Sequence, residues 1–198
     1  MDAPVLVLTL DPDDPINTTF LSSSGKLLYK VSATRTSRGS AIRVSDAFSA
    51  NVATLEMSDF GLGSSRVRIG EGKPVAYGKW LSRSIMPFER DVTMKDEHGR
   101  KYKWRENGQR KIMLQLFTAE DGTHPIASFS RTLSDDGTNR LVATLALDAR
   151  AEEIRDQVVA SFVFLERERR AQEGAIERRA ASETGRMASN LLSNGTAY

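Results

Sequence analysis

The 198-residue chain contains no cysteine, only two histidines, and 7% aromatic residues. Without cysteine there is no disulfide framework, thiolate metal site, cysteine nucleophile or thiol switch. His98 lies between Glu97 and Gly99, and His124 precedes Pro125. Each therefore falls in a turn without a second ligand at metal spacing, so no metal site is expected. Long apolar runs are also missing. The longest, Val158 to Leu165, is far below the roughly 20 residues that span a bilayer. The apolar start Val5 to Leu10 follows no basic segment and is shorter than a secretory core. A cytoplasmic location is expected, with membrane-peripheral or nuclear placement open.

Phosphate-loop and dinucleotide signatures are incomplete. In Ile69-Gly70-Glu71-Gly72-Lys73-Pro74, proline follows the lysine where a phosphate loop needs Ser or Thr opening a helix. Gly61-Leu62-Gly63 lacks the third glycine of a dinucleotide fingerprint. Asp11, Asp13 and Asp14 would start a calcium loop only if glycine and glutamate stood where Ile16 and Ser22 do. No Gly-x-Ser-x-Gly elbow marks a nucleophile. Glu152 and Glu153 sit at a helix start, where the dipole accounts for them. The reading is non-enzymatic, with no catalytic residue and no cofactor; an enzyme with a pocket at the mouth of the fold is the distant alternative.

What is present is a β-rich pattern. Up to about Leu147, short β-like runs alternate with turn residues at intervals of about a dozen, the spacing of sandwiches and barrels. Strands are expected at Val5–Leu10, Leu27–Ala33, Ala41–Val44, Val52–Met57, Arg66–Ile69, Phe88–Met94, Lys101–Trp104, Ile112–Phe117, Ile126–Arg131 and Arg140–Leu145. Turn formers such as Ser22-Ser23-Ser24-Gly25, His98-Gly99 and Asp121-Gly122 between them favour a meander of hairpins. After Leu147 the period becomes helical. Asp148 is placed as an N-cap, and Gly174 as a stop. Ile154, Val158, Phe162 and Leu165 share one face, but Val159, Ala160, Val163 and Phe164 fill the others. A helix apolar all round must be covered on all sides, and the only cover this short chain offers is its own sheet. The expected fold is thus a mainly β, antiparallel barrel of roughly 10 to 12 strands enclosing a hydrophobic C-terminal helix. The alternative, a helix on one face of an open sheet, would expose Val159, Val163 or Phe164. Residues 1–174 form the expected domain, and 175–198 a charged, partly helical and mobile tail.

The formal charge is +2, but it is unevenly spread. Arg66 to Lys111 holds 13 Lys or Arg against 6 Asp or Glu, and Leu21 to Ser45 holds five basic residues and no acid. In Arg100-Lys101-Tyr102-Lys103-Trp104-Arg105, strand alternation puts Lys101, Lys103 and Arg105 on one face and the two aromatics on the other. Joined by Arg110 or Lys111 from the next strand, this makes a cationic stripe suited to phosphates of a lipid headgroup or to an acidic protein surface. Nucleic acid is disfavoured, because the aromatics that would stack on bases face away from the cations. The plain alternative is a half-buried strand with solvated cations.

Several short motifs in order carry a resemblance: Asp11-Pro12-Asp13-Asp14-Pro15-x-Asn17-Thr18-Thr19, Leu28-Tyr29-x-Val31, Gly99-Arg100-x-Tyr102-Lys103-Trp104, Pro125-Ile126-Ala127, and Ile154-x-Asp156-x-Val158-Val159-x-Ser161-Phe162-Val163-Phe164-Leu165-Glu166. From Val5 to Arg170 the chain resembles the basidiomycete "domain of unknown function 6593" family. That family is similar in plan to tubby-like, phospholipid-scramblase and LURP-one-related domains, which implies a barrel around a hydrophobic helix and a lipid partner. No catalytic residue, lipid contact or calcium contact transfers to particular positions. An interaction adaptor using the charged tail is the competing functional reading.

Overall fold

In the computed structural model the described residues are 4–37, 39–58, 65–84, 91–107, 112–134 and 141–194, with the side chains of 112 and 184–194 outside the description. The chain divides into two units, Met1–Val163 and Phe164–Tyr198.

The first unit is one antiparallel sheet of thirteen strands followed by the start of a long helix. β1 (Leu6–Asp11), β2 (Thr18–Ser22), β3 (Leu27–Thr36), β4 (Gly39–Asp46), β5 (Asn51–Ser58), β6 (Arg66–Ile69) and β7 (Val75–Ala76) form one meander. β8 (Ser82–Arg83), β9 (Val92–Lys95), β10 (Lys101–Glu106), β11 (Ile112–Thr118), β12 (Ala127–Leu133) and β13 (Leu141–Leu147) form a second. The two join where β1 pairs with β13, Leu8 opposite Leu145. The order therefore runs β7-β6-β5-β4-β3-β2-β1-β13-β12-β11-β10-β9-β8. The edges β7 and β8 are not hydrogen-bonded to each other; the short helix α1 (Tyr77–Trp80) links them. Register shifts at Phe20/Leu21, Val44/Ser45 and Ile112/Leu114 are bulges of the kind that bend strands and coil a sheet.

Nine of the ten expected strands fall on observed ones. The tenth, Phe88–Met94, overlaps β9, its first residues being outside the description. β2, β7 and β8 were not expected. In β2 the inward pair Thr18 and Phe20 is too short a pattern to stand out behind the Asp-Pro cluster. β7 and β8 have two residues each and carry no period.

The helix begins with α2 (Ala149–Glu153), capped as expected by Asp148, whose side chain accepts from the Ala151 N–H at 2.9 Å. Ile154 interrupts it, and α3 (Arg155–Asn194) follows. Within the first unit, Val158, Val159, Phe162 and Val163 are each 0% exposed. Strands far apart in the sheet order reach this stretch. The Phe162 ring meets Phe20 of β2 at 6.1 Å, Phe129 of β12 at 4.6 Å and Trp104 of β10 at 6.4 Å. Trp104 Nε1 donates to Ser161 Oγ at 3.0 Å, so the one polar residue in the apolar run is satisfied. Tyr29 of β3 donates to Asp156. The sheet thus curves about the helix, with Ile154 also buried.

In the second unit α3 continues without a break through Gly174, contrary to the expected stop. A helix interior tolerates glycine at about 1 kcal/mol, and Gly174 is not among the positive-φ glycines that a C-terminal cap would require. Phe164, Leu165 and Glu166 are buried. Glu166 accepts from Arg169 at 2.6 Å and Arg170 at 2.7 Å. Residues 176–183 are exposed. The expected tail is therefore helical as far as Asn194. Among the described residues no helix is long and apolar enough to cross a membrane.

Candidate functional site

Antiparallel pairing brings the starts of β1, β3, β5, β10 and β12 and the ends of β2, β4, β6, β9, β11 and β13 to one end of the sheet. The helix enters there. The β9–β10 turn, part of this rim, is built on Asp96. One of its carboxylate oxygens accepts the His98 and Arg100 backbone N–H groups at 2.9 Å each. The other accepts Arg100 Nε at 2.5 Å and the Tyr102 hydroxyl at 3.2 Å. Burial pushes this carboxyl up, but the donors from Arg100 and His98 outweigh it and hold it below the ordinary carboxylate value.

On β10 the alternation is as the sequence implies: Tyr102 and Trp104 are each 1% exposed and point inward. Lys101 stands in solvent on the outer face, while Lys103 and Arg105 are half-buried. The stripe is not uniform. Asp91 draws Arg105 Nε to 3.2 Å and Lys103 Nζ to 3.9 Å. Arg105 also donates to the Gly122 carbonyl at 2.7 Å and lies 4.7 Å over the Phe117 ring. Arg105 is therefore a structural clamp as much as a surface cation. Arg110 and Lys111 lie outside the described residues. The sequence reading missed Lys95, which sits directly opposite Lys101 in the hairpin register and is exposed as well. Folding the hairpin symmetrically about His98-Gly99 would have found it. Neither lysine has an ion-pair partner among the described residues.

Beside this turn, a cavity of about 420 Å³ opens at the helix entry, lined in part by Asp96, His98, Arg100, Glu152, Arg155 and Gln157. Its charges are largely committed to one another. Arg100 reaches Glu153 at 3.4 Å, and Arg155 donates to Glu152 at 2.7 Å and to the Tyr29 hydroxyl at 2.8 Å. Burial first, then the hydrogen bond to Asp156, drives the Tyr29 hydroxyl well above its ordinary value, so it is a neutral donor at physiological pH. The Asp121, Thr123 and His124 cluster is exposed. Both Thr123 Oγ1 and Asp121 Oδ2 meet the same ring nitrogen, Nδ1, at 2.9 Å. A proton relay through the imidazole needs both nitrogens, so this geometry makes a turn and not a triad. Asp13, of the calcium-like segment, pairs with Arg131 at 2.5 Å. Among the described residues no three His, Asp or Glu side chains are placed to hold a metal.

A solved structure of a protein from Arabidopsis thaliana is similar at 15% identity and a TM-score of 0.42, over 78% of this chain and 88% of that chain. Among curated proteins there is no match. The model of the family of unknown function DUF6593 matches residues 13–171, taking in every strand from β2 to β13 and the buried part of the helix, and the chain belongs to that family.

Proposed function

We propose that this chain is a non-enzymatic binding module: a tubby-like barrel, its sheet wrapped round the helix, that meets anionic phospholipid headgroups at a cytoplasmic membrane surface. The binding face is the outer side of the β9–β10 hairpin, with Lys95 and Lys101 as principal contacts and Lys103 beside them. The observation that carries this reading is the directly opposed, exposed lysine pair, which has no ion-pair partner among the described residues. Like charges opposite one another across a ladder destabilise a hairpin, and a phosphate seated between them removes that cost.

Cosedimentation with vesicles containing phosphatidylserine, across a salt series, tests it. Each lysine near such a surface contributes about 1 kcal/mol, so Lys95→Gln with Lys101→Gln should weaken binding roughly thirtyfold at low salt. Wild-type binding should fall steeply as salt rises, while melting of the double variant stays at or above the wild-type value. Wild-type affinity in the double variant removes this hairpin as the site.

A further inference from the structure

We propose that Phe48, at the tip between β4 and β5, is an apolar wedge that enters the boundary between headgroups and acyl chains of an anionic bilayer. This rests on the binding reading above and adds to it that the partner is a bilayer, not a soluble phosphate.

Phe48 is 91% exposed, the most exposed large apolar side chain among the described residues. Its backbone is nonetheless fixed. One Asp46 carboxylate oxygen accepts the N–H groups of Phe48 at 2.9 Å and Ala50 at 2.8 Å. The Asp46 N–H donates to the Ala50 carbonyl at 3.1 Å, and the Ser49 N–H to the Asp46 carbonyl at 3.0 Å. Arg43 clamps the Ser49 carbonyl at 3.0 Å, and Ser49 holds a φ of 67°. The ring is thus presented in water by a turn that needs no further ordering, which lowers the entropic cost of inserting it.

Its surroundings identify the partner. The β3–β4 register sets Tyr29 opposite Asp46, which brings Leu27, 37% exposed, to the level of the tip. Lys26, Lys30 and Arg43 are exposed on the same two strands and the turn before them. From Leu21 to Ser45 there is no acid, and the carboxylate of Asp46 is occupied by the turn. An exposed apolar tip carried on strands that also present exposed cations matches a surface that is anionic outside and apolar beneath. A second copy meeting this patch about a two-fold axis would set the same cations against themselves. Lys95 and Lys101 stand at this same end of the sheet, where β9 ends and β10 begins.

The test uses the full chain and vesicles of phosphatidylcholine with phosphatidylserine. Phe48→Ala should melt as wild type does, bind about tenfold more weakly, and lose the fraction of binding that survives high salt. Phe48→Trp should be quenched by brominated acyl chains beyond the quenching of Trp80 and Trp104 in wild type. If Phe48→Ala binds as wild type throughout the salt series, or Phe48→Trp binds vesicles without added quenching, the wedge is refuted while the headgroup reading stands. Loss in Phe48→Ala alongside full binding by the Lys95→Gln, Lys101→Gln variant supports the wedge and removes the hairpin site. A wild-type dimer abolished by Phe48→Ala makes a second copy the occupant and overturns the proposal. Absence of wild-type binding to these vesicles overturns both readings.

Discussion

Replacing Phe162 by alanine should be among the most damaging single changes in the molecule. Its ring is 0% exposed and lies against Phe20, Phe129 and Trp104, from three strands that are not neighbours in the sheet. Deleting a buried phenylalanine ring costs about 3 to 5 kcal/mol, through lost transfer energy and the cavity left behind. Here the low end is unavailable, because three rings lose their partner at once, each such contact being worth about 0.5 to 1.5 kcal/mol beyond area. For a chain of this size each kcal/mol moves the melting temperature by about 2 to 4 °C, so thermal denaturation should show a fall of roughly 10 to 20 °C. Ile176→Ala, at a position 65% exposed, should change stability by less than about 0.5 kcal/mol and serves as the control. A Phe162→Ala fall no larger than that control would mean that the sheet does not close on the helix from both halves.

Two further outcomes test local features. Asp96 has a native pKa below its unfolded value, so its stabilisation is full above about pH 4 and is lost as pH falls through the native value. Asp96→Asn should therefore differ from wild type in urea midpoint more at pH 7 than at pH 3, and an equal gap at both would show that the carboxylate charge is not what holds the turn. At Gly39, with φ of 151°, an added Cβ would stand 1.9 Å from the Met57 carbonyl oxygen, whereas at Gly25, with φ of 77°, it meets open space. Gly39→Ala should cost clearly more than Gly25→Ala, where only the left-handed backbone penalty of about 1 kcal/mol applies; equal melting temperatures would contradict this.

The parts of the fold legible in the sequence were those written in local periodicity. The run Val158 to Leu165 lacks a polar face, which required cover on all sides, and the alternation of Lys101, Tyr102, Lys103 and Trp104 placed each side chain correctly. What escaped depends on partners distant in the chain or on elements too short to show a period. Asp91 quenching Lys103 and Arg105 crosses a strand pair, and the guanidinium of Arg105 over Phe117 crosses another. Gly174 read as a stop because glycine so often caps helices, but the alanines and charged residues around it are strong enough helix formers to carry the backbone through. Phe48 gave no signal because a lone aromatic reads as core; only its turn, built by Asp46, shows why it stays outside.

The strand order has a consequence for how the chain assembles. Among the described residues every strand pairing but one joins neighbours in sequence, and the exception is β1 with β13. Two zippers of hairpins, one on each side of α1, can form early at low loop-closure cost. The seam between Leu6–Leu10 and Ala143–Leu147 must wait until nearly the whole sheet has been made. On a ribosome the first meander is complete while the residues of the second are still being added, and it then displays Phe20 and Tyr29, side chains that meet the helix in the finished fold. The unpaired side of β1 is a temporary edge at that stage, open to any strand that arrives before β13.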